Sequence, residues 1–275
     1  MKIGIVGLGL MGGSLGLALK NSIDSVKLVG FDHNQTHCDE AKKLGLVDEI
    51  VLFETLKKSD VIILAIPVEA IIKTFEDLRD IDADTTIIDL GSTKEKIVLN
   101  TPTQIVQNVV AAHPMAGIEK FGPSAAFGEL YANQVVVLCD MEKNSTLHKK
   151  RAIEIFEALK MKIVYMDAKE HDKHAAYISH LPHAISYALA NSVLKQEDPK
   201  SILALAAGGF RDMSRIAKSS PNMWSDIFKQ NRVNLLDAIE SFEVELKYVK
   251  NMIKDEETLE LKEWMQNATT LHKIL

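Results

Sequence analysis

Cysteine is scarce in this sequence of 275 residues: Cys38 and Cys139 are the only two, and their spacing suggests no pairing. So little cysteine is typical of a reducing compartment. Long apolar runs are missing as well, because the longest, residues 61–68, is far shorter than the ~20 residues that cross a bilayer. After Met1 no small-residue cleavage site of a signal peptide follows. These absences predict a cytoplasmic protein that does not enter a membrane.

An excess of positive charge is also lacking. The chain has 32 Lys and Arg against 38 Asp and Glu, which gives a formal net charge of −6. Nucleic acid and anionic membrane surfaces are therefore not expected as partners, and a small anionic ligand would need arginines placed locally. The hydrophobic fraction of 47% and the charged fraction of 25% are those of a globular protein. At about 150 residues per domain, the length predicts two domains.

Residues 1–166 alternate short apolar runs with segments of helical period. This alternation is typical of βαβ units and of a mainly parallel sheet, so an α/β dinucleotide-binding domain of Rossmann type is predicted here. The expected strands are Ile3–Val6, Val26–Phe31, Val61–Ile66, Thr85–Leu90, Ile105–Ala112, Val135–Leu138 and Lys162–Tyr165. The expected helices are Ser14–Lys20, Thr36–Leu44, Val68–Leu78 and Leu147–Leu159.

Residues 167–275 show no strand pattern and are predicted to form an all-α domain. Helices are expected over Asp167–Leu194 with a bend at Pro182, over Lys200–Ala207, over Trp224–Met252 and over Glu256–Leu275. The third of these has a broad apolar face, which must cover either the first domain or a second copy of the chain. Because symmetric dimers are the commonest oligomers, a homodimer is predicted.

The clearest motif directly follows the first predicted strand. Gly7, Gly9 and Gly12 have the spacing G-x-G-x-x-G, and a helical segment comes immediately afterwards. In dinucleotide-binding domains such glycines permit a tight turn, a close approach to the pyrophosphate at the helix N-terminus, and close packing of helix on strand. The predicted cofactor contacts in this loop are Gly7, Leu8, Gly9, Leu10, Met11 and Gly12.

Asp32 ends the second predicted strand, 20 residues after Gly12. A carboxylate at this point accepts hydrogen bonds from the adenosine ribose and repels a 2′-phosphate. The following residues, His33 and Asn34, supply no arginine for such a phosphate. The sequence therefore favours NAD over NADP, against the alternative that Asp32 is a solvated turn residue.

Other candidates follow from the rule that ligands of a parallel sheet bind beyond the carboxyl ends of its strands. Ile66 and Pro67 are predicted cofactor contacts at this edge. Ser92 either hydrogen-bonds a substrate or nicotinamide group or caps the next helix. His113 is the predicted catalytic base, because oxidation of an alcohol by hydride transfer needs an acceptor for the hydroxyl proton. The alternative is a histidine that only satisfies loop backbone.

Four of the nine histidines lie in one stretch: His171, His174, His180 and His183. A metal site is the less favoured interpretation, because no cysteine lies nearby and Asp172 is the carboxylate that would have to complete a set of ligands. A polar helix face that includes His180 and His183 and lines the cleft between the domains is favoured.

A second cluster begins with Gly208 and Gly209, which are predicted to end a helix. Arg211 and Arg215 follow, four residues apart. They either grip a substrate carboxylate or lie on a solvated helix face on which Arg215 pairs with Asp212.

Several of these segments occur in the same order in one family. They are residues 6–14, 89–94, 113–120, 179–183 and 208–217, followed by Trp224. On them the chain resembles the prephenate dehydrogenases and the related arogenate dehydrogenases of tyrosine biosynthesis. Many dehydrogenases share the glycine motif, whereas His-Pro-Met-Ala-Gly at 113–117 together with Phe-Arg-Asp at 210–212 is much more specific.

The resemblance implies that NAD⁺ takes a hydride from prephenate, which loses carbon dioxide and becomes 4-hydroxyphenylpyruvate. It also implies that His113 withdraws the proton of the 4-hydroxyl, that Ser92 supports it, and that the helical half forms a homodimer. Ile118 departs from the family pattern, in which threonine is frequent. The implied substrate-binding residues are His180, His183, Arg211, Arg215 and Trp224, with Glu119 and Asp212 as a gate at Arg215.

Two other functions remain open at this point. One is a different nicotinamide enzyme, a β-hydroxyacid dehydrogenase or imine reductase, for which Lys173 is the available catalytic lysine. The other is a non-catalytic NAD-binding sensor, which the arginines and histidines disfavour. The sequence does not separate prephenate from arogenate as the substrate.

Overall fold

In the computed structural model, which describes residues 1–274, the first half of the chain forms one eight-stranded sheet. The strands are β1 Lys2–Val6, β2 Lys27–Phe31, β3 Glu49–Ile50, β4 Val61–Leu64, β5 Thr86–Asp89, β6 Val109–Pro114, β7 Val135–Cys139 and β8 Lys162–Met166. Their order across the sheet is β3-β2-β1-β4-β5-β6-β7-β8. Neighbours are parallel except β6 and β7. The predicted Rossmann-type sheet is confirmed.

Helices cover both faces of this sheet. They are α1 Leu10–Ser22, α2 Gln35–Lys43, α3 Phe53–Leu56, α4 Val68–Asp77, α5 Glu95–Leu99 and α6 Thr146–Ala158. Leu15 of α1 and Phe156 of α6 are buried on one face, and Ile71 and Phe75 of α4 are buried on the other. Because both faces are covered, the central strands are apolar throughout, which is why they stand out in the sequence.

Two strand predictions differ from the structure. The two-residue strand β3 was not predicted, because Glu49 and Ile50 are too few to produce a periodic signal. The predicted run from Ile105 begins too early, because the backbone turns between Ile105 and Asn108 and β6 begins at Val109. Ile105 is apolar because it is buried in the core and not because it belongs to the sheet.

The second half of the chain is helical, as predicted. Its helices are α7 Ala168–Ala175, α8 Leu181–Leu194, α9 Pro199–Ala204, α10 Gly208–Ser214, α11 Pro221–Gln230, α12 Arg232–Lys254 and α13 Thr258–Thr269. Asp167 begins this half by accepting hydrogen bonds from the first amides of α7. A π-helical turn, Ala176–His180, joins α7 to α8 immediately before Pro182. The long helix predicted over this stretch is therefore present, with a π turn where a bend was expected.

Three predictions for the helical half are wrong in detail. The expected helix Trp224–Met252 is two helices that meet at Asn231, a break that the continuous apolar period conceals. Gly208 and Gly209 begin α10 and do not end a helix, since the preceding residue, Ala207, is extended. The last helix, α13, gives way to a 3-10 turn, Thr270–Lys273, and Leu275 lies outside the described residues.

The core of the helical half is small. Its buried apolar cluster consists of Ala176, Leu181, Leu235 and Ala238, and Trp224, Ile227 and Met252 are buried as well. Several apolar side chains of α12 are exposed, and Val233, Val244 and Ile253 are each more than 60% exposed. Within residues 1–274 no helix is both long and apolar enough to cross a membrane. A single copy of the chain thus exposes many apolar side chains on its helical half.

Candidate active site

The glycine loop lies at the carboxyl edge of the sheet, where the strand order reverses between β1 and β4. Gly7 has a φ of +90°, which favours glycine. A Cβ on Gly12 would lie closer than 3.0 Å to the carbonyl oxygen of Gly7. Only glycine at this position therefore lets the helix that contains it pack closely against the loop. At Gly9, by contrast, nothing lies within 4 Å of the position that a Cβ would take. A ligand can therefore approach the main chain at Gly9.

Helix α1 begins directly after this open position. Its N-cap, Gly9, provides no side-chain hydrogen bond, and its first turn, which starts at Leu10, contains no acidic residue. The first amides of the helix are therefore free to bind an anion. The Tyr131 hydroxyl donates to the carbonyl oxygen of Met11 at 2.8 Å and fixes the first turn in place. This arrangement fits the pyrophosphate of a dinucleotide.

Asp32 closes the loop from the end of β2. Its Oδ2 accepts from the Leu8 amide and its Oδ1 from the Asn34 amide, each at 2.8 Å, and His37 Nδ1 lies 3.3 Å from Oδ2. These contacts hold the carboxylate against the glycine loop. A carboxylate offers about four acceptor positions, so this one keeps capacity for a ribose hydroxyl.

Ile66 and Pro67 follow β4 on the other side of the strand reversal. Ile66 Cγ2 lies 2.7 Å from the position that a Cβ on Gly7 would take, so its side chain packs against the glycine loop. Pro67 is the N-cap of α4. The structure thus brings Ile66 to the loop and places Pro67 next to it.

His113 lies in β6, one residue before the strand ends, and is paired across the sheet with Val137 of β7. Its Nδ1 lies 2.8 Å from Nε2 of His171 on α7. The two rings are nearly perpendicular, at 70°, with centroids 5.0 Å apart. The predicted base therefore lies where the helical half meets the sheet.

The pKa of His113 is held well below its usual value of 6.5. Burial of the ring is the main cause, and the neighbouring His171, Lys94 and His180 lower it further. The imidazole is therefore neutral at neutral pH, and one of its nitrogens carries a lone pair that can accept a proton.

A buried ion pair supports the strand that carries His113. Lys94 and Asp89 are both 0% exposed and contact each other, and Lys94 Nζ also donates to the carbonyl oxygen of Ala112 at 2.7 Å. Because Ala112 precedes His113, the ammonium group ties the end of β5 to the end of β6. Sequence reasoning missed this role, although a charged residue at the end of an apolar strand was a visible signal.

Ser92 lies in the loop between the two members of this ion pair and is partly exposed. Helix α5 has Lys94 at its N-cap position and no side-chain cap. The interpretation of Ser92 as a helix cap is therefore wrong. Its hydroxyl lies at the same edge of the sheet as His113, where a ligand can use it.

Asp172 on α7 links the two halves of the chain. Its Oδ1 accepts from the Lys94 amide at 2.7 Å and its Oδ2 accepts from the Glu95 amide at 3.0 Å. The same Oδ1 lies 2.8 Å from Nδ1 of His171. A carboxylate from the helical half thus holds the first turn of α5. The sequence pointed to this residue only as a possible metal ligand.

His183 and Trp224 form an aromatic wall on the helical side. Their rings are stacked, with centroids 3.5 Å apart and an angle of 21° between them. His183 Nδ1 donates to the carbonyl oxygen of Ser179 at 2.9 Å, and burial lowers the pKa of this histidine. The indole N–H of the buried Trp224 has no hydrogen-bond partner among residues 1–274. The wall therefore combines a flat apolar surface with an unpaired donor.

His180 lies behind this wall and is 1% exposed. Its ring meets Trp224 edge-on, with centroids 6.0 Å apart. Asn231, at the break between α11 and α12, donates to His180 Nδ1 at 3.0 Å and to the carbonyl oxygen of Asp172 at 2.6 Å. Burial lowers the pKa of His180 to about 4, so the ring is neutral. Asn231 is a second residue that the sequence did not single out.

Arg215 reaches from the end of α10 to Glu119 in the loop after β6, and the two form an ion pair. The alternative pair of Arg215 with Asp212 does not form within the described chain. Arg211 is exposed, and its Nε donates to the carbonyl oxygen of Ala206 at 3.2 Å. The structure therefore brings Glu119 to Arg215, but it brings neither Arg211 nor Asp212 to this contact.

The remaining candidates on α7 lie on its outer side. His174 is exposed and lies 3.5 Å from Glu170, away from the buried His171. Lys173, the lysine that a β-hydroxyacid dehydrogenase or imine reductase would need, is exposed as well. In the part of the chain that the structure describes, no group of three or more His, Cys, Asp or Glu residues is placed to hold a metal ion.

Comparison with known families gives two matches that together cover most of the chain. The family model described as "Prephenate dehydrogenase, nucleotide-binding domain" matches residues 15–165. The one described as "Prephenate dehydrogenase, dimerization domain" matches residues 167–267. The prephenate dehydrogenase of Bacillus subtilis (strain 168) is 31% identical over 272 residues, which are 96% of this chain and 73% of that protein.

Solved structures agree with these matches. A structure of prephenate dehydrogenase from A. aeolicus, in complex with hydroxyphenyl propionate and NAD⁺, is 32% identical with a TM-score of 0.93, and the match covers 99% of this chain and 97% of that one. The arogenate dehydrogenase of Synechocystis is 28% identical with a TM-score of 0.82, and the match covers 99% of each chain.

Proposed function

The chain belongs to the prephenate dehydrogenase family of oxidoreductases, and on that premise we propose that it converts prephenate and NAD⁺ into 4-hydroxyphenylpyruvate, carbon dioxide and NADH. The observation that carries the proposal is the neutral imidazole of His113 at the carboxyl edge of the sheet, between the halves of the chain. A base at this place suits a reaction in which a hydroxyl loses its proton as the adjacent carbon loses a hydride.

The residues of the glycine loop fit NAD. The open main chain at Gly9 and the free amides of α1 suit its pyrophosphate, and the Asp32 carboxylate suits the hydroxyls of its adenosine ribose. The same carboxylate would repel the 2′-phosphate of NADP, so we take NAD as the preferred cofactor. When bound, NAD⁺ supplies the acceptor for the hydride.

In the proposed reaction His113 accepts a hydrogen bond from the 4-hydroxyl of prephenate, and Ser92 donates a second one to the same oxygen. As the ring carbon gives up its hydride, the hydroxyl proton moves to His113. The bond to the ring carboxylate breaks, its electron pair completes the aromatic ring, and carbon dioxide leaves. The proton then returns to the oxygen, which becomes the phenol of the product. Because aromatisation drives the reaction, positioning and one base are sufficient.

Arg215 is the proposed partner of the substrate's side-chain carboxylate. Without substrate it pairs with Glu119, and its side chain is 57% exposed, so it is accessible to an anion. A guanidinium group binds a carboxylate through two parallel hydrogen bonds, which fixes both position and orientation. We propose that His183 and Trp224 line the ring of the substrate. Arg211 and Asp212 stay predictions.

Prephenate is proposed over arogenate, which has an amino group where prephenate has a keto oxygen. The support is the similarity to proteins named as prephenate dehydrogenases, at 31% and 32% identity, against 28% for the arogenate dehydrogenase of Synechocystis. The two substrates keep the same ring, hydroxyl and carboxylates, so His113 and Arg215 serve both in the same way.

The decisive experiment is an assay of purified protein with each substrate and each cofactor, followed by the absorbance of the reduced nicotinamide. We expect the highest kcat/KM with prephenate and NAD⁺. A higher kcat/KM with arogenate would correct the substrate, and a higher one with NADP⁺ would correct the interpretation of Asp32. No reduced cofactor with either substrate would contradict the proposed function.

We also propose that the protein is a homodimer assembled through its helical half. The support is the match to a dimerization domain over residues 167–267 and the exposed apolar face of α12. Sedimentation at micromolar concentration should give twice the chain mass of 30.5 kDa. A monomeric mass would contradict this proposal. The cytoplasmic location stays a prediction from the sequence.

A further inference from the structure

A line of three side chains connects His113 to a buried carboxylate. His113 Nδ1 lies 2.8 Å from His171 Nε2, and His171 Nδ1 lies 2.8 Å from Asp172 Oδ1. His171 and Asp172 are 2% and 3% exposed, so both contacts are shielded from water. The buried apolar cluster of the helical half is formed by other residues. Two adjacent buried polar residues with these contacts call for a role in the site.

The hydrogen-bond donors around Asp172 decide where the protons of this line lie. Both of its oxygens accept from main-chain amides, of Lys94 and of Glu95, and an amide can only donate. The carboxylate is therefore an acceptor on both sides, and His171 must donate to it through Nδ1–H. A neutral His171 then has its lone pair on Nε2, so His113 must donate to it through its own Nδ1–H. This leaves the lone pair of His113 on Nε2.

The orientation of His113 follows from the same contacts. Its ring is held by β6 on one side and by His171 on the other, and within residues 1–274 its Nε2 makes no hydrogen bond. An imidazole that donates through Nδ1 can accept a proton only at Nε2, so the tautomer decides whether it works as a base. Proton uptake at Nε2 also strengthens the Nδ1–H donor, and the negative charge of Asp172 then stabilises the imidazolium through His171.

We propose that His171 and Asp172 are positioning residues that hold His113 in the tautomer with its lone pair on Nε2, the form that the base needs. The proposal rests on the proposed function in so far as it assigns a catalytic effect to this tautomer. Because His113 is on β6 and its two partners are on α7, the base is complete only when the helical half is docked on the sheet. Asp172 also holds the α5 turn that follows Ser92, so one carboxylate positions both proposed partners of the hydroxyl.

The charged and titratable groups that face His113 are consistent with this arrangement. They are His171 on α7, Lys94 at the start of α5 and His180 on the π turn, and together with burial of the ring they keep His113 neutral before it takes up a proton. Lys94 is itself paired with Asp89.

The first test uses variants of the full-length enzyme. His171→Leu removes both hydrogen bonds, and we expect kcat with prephenate to fall about 100-fold, whereas KM and the Kd of NAD⁺ change little. His171→Gln should recover most of the lost kcat, because its carboxamide oxygen accepts from His113 and its NH₂ donates to Asp172. His174→Leu, an exposed histidine on the same helix, is the matched control and should behave as wild type.

The second test does not depend on activity. Nitrogen-15 NMR of the histidine side chains distinguishes a protonated from an unprotonated ring nitrogen, and the His113→Asn variant assigns the His113 signals by their loss. We expect His113 to be protonated at Nδ1 and unprotonated at Nε2 in the wild type. A proton on Nε2 would overturn the proposal whatever the substrate is. Wild-type kcat in His171→Leu, or equal losses in the Leu and Gln variants, would overturn it as well. If the wild type turned over neither prephenate nor arogenate, the proposed function would fail while the NMR result still decided the tautomer.

Discussion

The glycine loop predicts different effects for two similar substitutions. Gly9→Ala should weaken NAD⁺ binding, and Gly12→Ala should lower the stability of the fold. At Gly9 nothing lies within 4 Å of the new methyl group, and the backbone φ of −73° is one that alanine adopts readily. The free energy of unfolding should therefore change by no more than about 0.5 kcal/mol. If the pyrophosphate of NAD lies against this open main chain, the methyl group occupies its place, and the Kd of NAD⁺ should rise at least about 10-fold, or about 1.4 kcal/mol.

At Gly12 the new methyl group would instead lie closer than 3.0 Å to the carbonyl oxygen of Gly7 and 3.0 Å from Ile5 Cγ2. Main-chain atoms cannot move aside without displacing α1 from the sheet, so the structure must accept strain. Overpacking of this kind costs about 1–3 kcal/mol, and more where main chain is involved. Thermal unfolding without ligand should therefore show a clear loss of stability for Gly12→Ala and none for Gly9→Ala.

The two variants are best compared by calorimetric titration with NAD⁺ and by thermal unfolding of the free proteins. Unchanged NAD⁺ affinity in Gly9→Ala would refute the placement of the pyrophosphate. Unchanged stability in Gly12→Ala would refute the packing argument. A loss of stability in Gly9→Ala would show that the loop is more tightly packed than the open space at this position indicates.

Three further predictions concern the ion pairs and the base. Lys94→Met leaves Asp89 buried without its counter-ion. A urea titration should therefore show the free energy of unfolding lowered by about 3–5 kcal/mol, and adding Asp89→Asn should restore a large part of the lost stability. Arg215→Ala should raise the KM for prephenate about 10- to 100-fold with little change in kcat in steady-state kinetics, because it removes binding shared by ground and transition states. Burial holds the pKa of His113 well below 6.5, so this base is neutral at pH 6.5 and above. We therefore expect kcat to stay on its plateau at pH 6.5 and to fall only at lower pH. A fall in kcat that begins above pH 6.5 would contradict this.

The sheet could be predicted because its strands are buried on both faces and therefore appear as short apolar runs separated by loops. The glycine motif and Asp32 added the position of the dinucleotide-binding loop after the first strand. Helical breaks were harder to predict. Asn231 does not interrupt the apolar period of this stretch. Its side chain donates hydrogen bonds to His180 and Asp172, which precede it by 51 and 59 positions, and no local sequence pattern reveals such contacts.

Residues of the candidate site could be proposed from the sequence where their own position marks them, and not where their contacts come from a distant segment. His113 and Ser92 were singled out because they follow predicted strands, and Arg215 because two arginines four residues apart in an acidic chain can grip a carboxylate. Lys94 and Asp172 form contacts between segments 78 residues apart in sequence. Their contacts depend on how the helical half docks on the sheet, and no motif or spacing in the sequence reveals that docking.

The measurement that tests the central claim most directly is the turnover of His113→Asn with prephenate and NAD⁺. Asparagine can still donate to His171 Nε2, so the fold and the neighbouring contacts should persist, but it cannot accept the hydroxyl proton. We expect kcat to fall about 10²- to 10⁴-fold, while the Kd of prephenate, measured separately, stays near the wild-type value. Wild-type turnover in this variant would show that His113 is not the base.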